Sequence, residues 1–435
     1  MNSIPAVSAF HMLLLSFAAC FTAPTRETFA GVAVGWVLCM GRPTVRRIVA
    51  SAGELATKHE STYHRFFRKA RWCIGELCEV LFVRVVVPFF APTGKIVLAG
   101  DDTTCHKYGR RVAHAGYYRD AVRSTAKQTV VHWAHNWVVV TMQARFFLWP
   151  WRVIPIPVML DIYRKPDDCD EEHPFRTRNQ ILVDIARKVA NWLPDREFEL
   201  VADGAYACED TVEGLPANFT FTSRIRRDAA IFGLPQPVTK RRRGRPAQKG
   251  ARLPKLAEIA RTATWTRRVV VMYGRRRVRL LYSFRALWWK VSKATPVQVV
   301  IVRDPFGHEK DDYFFTTDLS MDPAHLVEVY SARWGVEEAI RDGKQVVGMD
   351  DVQGWSATAV ERQAPFAMLI LALVKIWYLK HVAPQERPDA LPSTASMLAR
   401  LRMAFWQRRI SDISAPRRET RKLAEALGAV LAAAS

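Results

Sequence analysis

The sequence predicts an α/β protein, a mixed sheet flanked by helices, on the strength of three patterns. Two apolar, β-branched runs, Lys95 to Thr104 and Glu199 to Gly204, each end in aspartate, as buried strands that deliver an acid to a sheet edge would. Arg110 to Tyr118 and Thr129 to Leu148 alternate β-branched and aromatic residues with polar ones, which reads as adjacent antiparallel strands. Helices expected over Thr177 to Trp192 and Pro323 to Val346 supply covering layers.

The N-terminal 93 residues read as an all-α domain. Ile4 to Phe21 is apolar, but no Lys or Arg precedes it and Pro5 and His11 interrupt it, so it is expected as a packed helix and not a signal peptide. Glu27 to Met40 follows as a second helix. Gly41-Arg42-Pro43-Thr44 then breaks the chain before a helix with Arg46 and Arg47, and another carries Arg65, Arg68 and Lys69. A helix-turn-helix-like unit would lay such residues on DNA; a helical domain with a solvated basic face explains the same pattern.

Composition points to a polyanionic partner. Sixty-four Lys and Arg against forty-two Asp and Glu leave a net charge of +22 and a pI near 10.0. The basic residues are spread along the chain and do not cluster beside one apolar span, which argues against a membrane surface. With 49% hydrophobic residues in 435, the chain can bury a sizeable core. Seven cysteines, an odd number without a C-x-x-C pair, fit a reducing cytoplasm and argue against a zinc site. Cys105 and Cys208 follow the proposed strand acids closely and are expected as buried packing residues.

Tyr330, Arg333, Glu337 and Lys344 are spaced by three, four and seven, which on one helix confines them to an arc of about 60°. Glu338 lies outside that arc. A carboxylate between two cations and a phenol, with two strand-borne aspartates available elsewhere, could bind hard divalent cations. Each piece has a plainer reading: a strand-end Asp serves as a turn or cap residue, and Arg-x3-Glu as a solvated ion pair.

Taken together, Asp101-Asp102-Thr103-Thr104, Val201-Ala202-Asp203-Gly204 and Tyr330-x2-Arg333-x3-Glu337-x6-Lys344 resemble the DDE transposases of bacterial insertion sequences, in the group with a Y-R-E-K signature. The resemblance implies an RNase H-like core whose catalytic, metal-holding acids are Asp102, the one followed directly by Thr, with Asp203 and Glu337. It implies two Mg²⁺ ions, with Mn²⁺ able to substitute, and DNA contacts from Tyr330, Arg333 and Lys344; Arg341, on the same helix, is a further candidate for DNA contact. The implied activity is cut-and-paste transposition: hydrolysis at the transposon ends, then transfer of the 3′-hydroxyl into target DNA. The partners would be double-stranded DNA, as terminal inverted repeats and target, and a second copy of the chain in a synaptic complex, in a bacterial cytoplasm at the nucleoid. An endonuclease without strand transfer and a domesticated DNA-binding protein are the rivals.

On this reading the core occupies residues 94–228 and 321–385, split by a β-rich insertion at 229–320, a stretch too long for a loop. The insertion offers Val269 to Phe284 and Thr295 to Arg303 as strands, with Trp288 and Trp289 between them as packing residues. Its basic run, with Arg241, Arg242, Arg243 and Arg245, suits either phosphate contacts or an A·T-rich minor groove. Ala364 to Lys380 is expected as an apolar helix that covers the sheet and braces the Glu337 helix, ahead of a helical tail at 386–435.

Overall fold

The computed structural model describes residues 3–120, 123–235 and 247–412, together with 422 and 426. The chain opens with six helices: α1 (Ser3–Leu15), α2 (Ala23–Leu38), α3 (Val45–Ala52), α4 (Glu60–Arg68), α5 (Ile74–Glu79) and α6 (Val87–Phe90). Thr44 caps α3 by accepting the Arg47 amide hydrogen. Gly35 lets α2 lie directly on α3, since a Cβ there would come 2.3 Å from the Ile48 carbonyl oxygen.

The strands are β1 (Ile96–His106), β2 (Gly116–Arg119), β3 (Val131–Phe146), β4 (Trp149–Tyr163), β5 (Phe198–Ala202), β6 (Phe219–Arg224), β7 (Thr266–Met272), β8 (Arg275–Ala286), β9 (Val297–Arg303) and β10 (Asp312–Thr316). They form one sheet in the order β2-β3-β1-β5-β6-β10-β9-β8-β7, with β4 also pairing β3. β1, β5 and β6 run parallel, while the remaining neighbours are antiparallel. The mixed sheet flanked by helices is consistent with an RNase H-like fold.

Helix α7 (Arg178–Trp192), started by a Thr177–Gln180 capping box, covers one face of this sheet. Gly100 of β1 makes room for it, because a Cβ there would meet Leu182 at 2.6 Å. Short helices α8 (Glu209–Gly214), α9 (Leu256–Thr262) and α10 (Trp289–Ser292) follow, then α11 (Pro323–Ala332), α12 (Trp334–Gln345), α13 (Ala357–His381), α14 (Ala383–Glu386) and α15 (Thr394–Asp412). α12 and α13 cover the opposite face: Gly335 of α12 abuts Gln143 of β3, and Lys375 of α13 donates to the Pro155 carbonyl of β4.

α13 is long and apolar enough to cross a membrane, yet 89% of its apolar window is buried inside the protein. The N-terminal helices wrap around it. Phe366 packs against the rings of Phe29, Trp36, Phe66, Phe67 and Trp72, and Trp377 donates to the Ala6 carbonyl. α15 closes this bundle through Arg402, which bonds the Val37 and Cys39 carbonyls. The N-terminal helices therefore share one core with α13 and α15.

Several boundaries differ from the sequence reading. β1 continues through both aspartates to His106, because β-branched Thr103 and Thr104 keep pairing with β3. The strand expected over Arg110 to Tyr118 shrinks to β2. Val269 to Phe284 is a hairpin, turned at Tyr273 and Gly274, both at positive φ. The helix expected over Pro323 to Val346 is interrupted at Arg333, where the backbone bonds tighten to i→i−3.

At the start of α11, His325 donates to Glu199, a buried carboxylate on β5. That hydrogen bond, aided by the nearby charges of Glu199, Glu328 and Asp322, outweighs burial and holds the imidazole above its ordinary value of 6.5. Folding thus raises the pKa, so this stabilisation is full below the unfolded value and is lost as pH rises through the folded one. Calorimetry should show thermal stability declining as pH rises above about 6.5, a slope that His325→Gln flattens.

Candidate active site

Parallel strands set side by side carry same-face residues in register. Gly100 of β1 pairs with Ala202 of β5, so the next positions, Asp101 and Asp203, adjoin at the point where β5 ends. Asp203 then leads into a 3-10 turn, Gly204–Tyr206, whose Tyr206 amide donates to the Asp203 carbonyl. Asp101 lies on the α12 face. Its Oδ2 accepts from Arg333 Nη1 at 3.2 Å, and Arg333 Nη2 reaches Glu337 Oε1 at 2.9 Å.

One guanidinium, 12% exposed, therefore joins the strand acid to the helix acid. Burial lowers the Arg333 pKa, but the charges of Tyr330, Asp101, Glu337 and Asp203 more than offset this and raise it. Burial pushes Asp101 up to about 6, against the Asp102 amide and Arg333, which pull it down; the carboxylates of Asp102 and Glu337 push it further up. The buried Arg333 Nε has no hydrogen-bond partner. This is a carboxylate cluster short of positive charge.

Asp102 points to the other face, where Arg178 Nη1 (2.8 Å), Tyr206 hydroxyl (3.1 Å) and Asn136 Nδ2 (3.2 Å) bond its oxygens. The structure thus brings Asp101, and not the expected Asp102, to the Glu337 face of β1, since successive strand residues project to opposite faces. Asn136, Arg178 and Tyr206 were not anticipated as its partners. β1 is buried on both faces, so no apolar–polar alternation in the sequence marks which aspartate faces α12.

The other residues of the helical signature hold the site together. Tyr330 is 6% exposed, packs on Phe314 of β10 at 4.5 Å and lies under Arg333 at 5.7 Å, and burial pushes its phenol up to about 12. It supports Arg333 from within the protein. Lys344 Nζ bonds the Thr104 carbonyl at 2.6 Å, tying the end of α12 to β1. Arg341 is half exposed beside Asp342, and Glu338 faces away from the carboxylates, toward Arg152. Arg65, Arg68 and Lys69 are exposed on and just after α4. Arg241, Arg242, Arg243 and Arg245 lie outside the described residues.

Behind α12 sits a buried polar network. Lys375, 2% exposed, pairs with Asp342 at 3.4 Å, and Thr394 donates to the same carboxylate. Burial lowers the Lys375 pKa. Asp342→Leu should strand this ammonium and destabilise the fold by about 3–5 kcal/mol in denaturant titrations. Cys105 is fully buried, as expected, whereas Cys208 is part-exposed beside the Thr211 hydroxyl. Trp288 is buried and Trp289 partly so, under Lys249.

Among the described residues no three His, Cys, Asp or Glu side chains are gathered closely enough to hold a metal. Asp101 and Glu337 share one guanidinium, and Asp203 lies near enough for its charge to act on it; carboxylate oxygens are the donor type that hard cations take. A family profile described as DDE superfamily endonuclease matches residues 16–283, a span that includes both aspartate strands and ends before α12. No curated protein matches the chain.

Proposed function

The chain belongs to the DDE superfamily of endonucleases, enzymes that act on DNA and generally use divalent metals, and from that premise we propose that it is a cut-and-paste DNA transposase. It hydrolyses the phosphodiester at transposon ends and joins the freed 3′-hydroxyl to target DNA. The observation that carries this reading is the Arg333 guanidinium clasped between Asp101 and Glu337, beside the strand that ends at Asp203.

Asp101, Asp203 and Glu337 are the residues that would hold Mg²⁺, or Mn²⁺ in its place, which when bound supplies charge neutralisation at the phosphodiester and activation of water. Arg333 keeps the strand and helix carboxylates in one neighbourhood. Lys344 fixes the α12 end of that arrangement by its bond to β1. The net charge of +22 draws the polyanion in, and exposed Arg341, Arg65, Arg68 and Lys69 contact its phosphates. Two copies bridge two transposon ends.

A supercoiled donor plasmid carrying the element's own ends tests this proposal. Magnesium-dependent excision followed by integration into a target plasmid is the expected outcome. Cutting without joining would reduce the protein to an endonuclease, and binding alone to a DNA-binding protein.

A further inference from the structure

A second polar site lies on the α7 face of the same strand. The side chains of Asp102, Thr104, Asn136, His132 and Tyr118 all project there, because they sit in register across β1, β3 and β2. They floor a cavity of about 680 Å³, a size suited to a nucleotide-sized ligand and too small for a duplex.

Its charge balance favours an anion. Lys165, Arg119, Arg178 and Lys344 line it, against the two acids Asp102 and Asp120. Both acids have partners within the protein: Asp102 takes bonds from Arg178, Tyr206 and Asn136, and Asp120 faces Arg123 and His132. The walls are planar. His106 and His132 stack at 4.1 Å, and Tyr118 meets Tyr163 edge-on with the Lys165 ammonium over its ring. Cations beside flat rings are the chemistry that holds single-stranded nucleotides, phosphate on the cations and base on the rings.

The cavity adjoins the carboxylate site without sharing its face. Asp101 and Asp102 are consecutive on β1, and Lys344, from the Glu337 helix, lines the cavity while bonding Thr104. We infer that this cavity holds an unpaired nucleotide of the DNA substrate, an inference that rests on the DNA-cleaving reading above.

The test is fluorescence anisotropy with the full chain, in chelator to prevent cleavage, comparing a random-sequence duplex bearing a short single-stranded tail with the blunt duplex. The wild type should prefer the tailed DNA by roughly tenfold. Tyr118→Ala and Lys165→Glu should each erase that preference while retaining blunt-duplex affinity, and Tyr118→Phe, which keeps the ring, should retain it. No preference in the wild type, or an undiminished one in both variants, overturns the inference. So does competition by a mononucleotide no better than by inorganic phosphate, which would mark a plain anion site. Plasmid cleavage that persists in either of those cases leaves the proposed function standing; absence of both binding and cleavage removes the two together.

Discussion

Asp101→Asn is expected to cut plasmid cleavage on the order of a thousandfold, since a lost carboxylate at such a site forfeits several kcal/mol of transition-state stabilisation. Asp203→Asn and Glu337→Gln should match it. Asp102→Asn should stay within about tenfold of wild type, because it keeps the shape of the side chain and an oxygen for Arg178 and Asn136, lets the Tyr206 hydroxyl turn to accept, and loses the charge of a part-exposed pair. Binding to the element's ends should survive in all four. A dead Asp102→Asn enzyme beside an active Asp101→Asn one would reverse the assignment of the first acid.

Arg333→Ala should be the most damaging change among the basic residues. It leaves Asp101 and Glu337 facing each other without the cation that now bonds both. Removing one partner of a well-buried pair costs about 3–5 kcal/mol, and the partial exposure of the two carboxylates puts this case near the lower end. The signature of the site lies in what restores stability: millimolar Mg²⁺ should raise the melting temperature of Arg333→Ala more than that of wild type. Equal shifts would mean that the guanidinium and the cation do not answer the same need.

Much of this was legible before any coordinates. The apolar runs ending in aspartate, the Thr177 helix start and the Arg333–Glu337 pair are all encoded locally, by periodicity, capping chemistry and i,i+4 spacing. Sidedness was not legible. Strand β1 is covered by helices on both faces, so Asp101 and Asp102 look equivalent in sequence, and an Asp-Thr pair does not tell which of them shares the Glu337 face. The break at Arg333 was equally hidden, since no Pro marks it and Gly335, two residues on, serves the close approach of α12 to Gln143. Tyr330 reads as a surface residue by helical spacing and is buried because β10, a strand that the sequence reading missed, arrives beneath it. The role of Lys344 depends on a backbone carbonyl, which no side-chain pattern reports.

The joining of β10 to β6 bears on how far this protein could be trimmed. Because β7 to β10 extend the central sheet instead of forming a separate module, deleting them would bare the β6 rim, a row of unsatisfied amide and carbonyl groups. A shortened catalytic fragment would offer that rim to other molecules as a template and would be prone to self-association and precipitation.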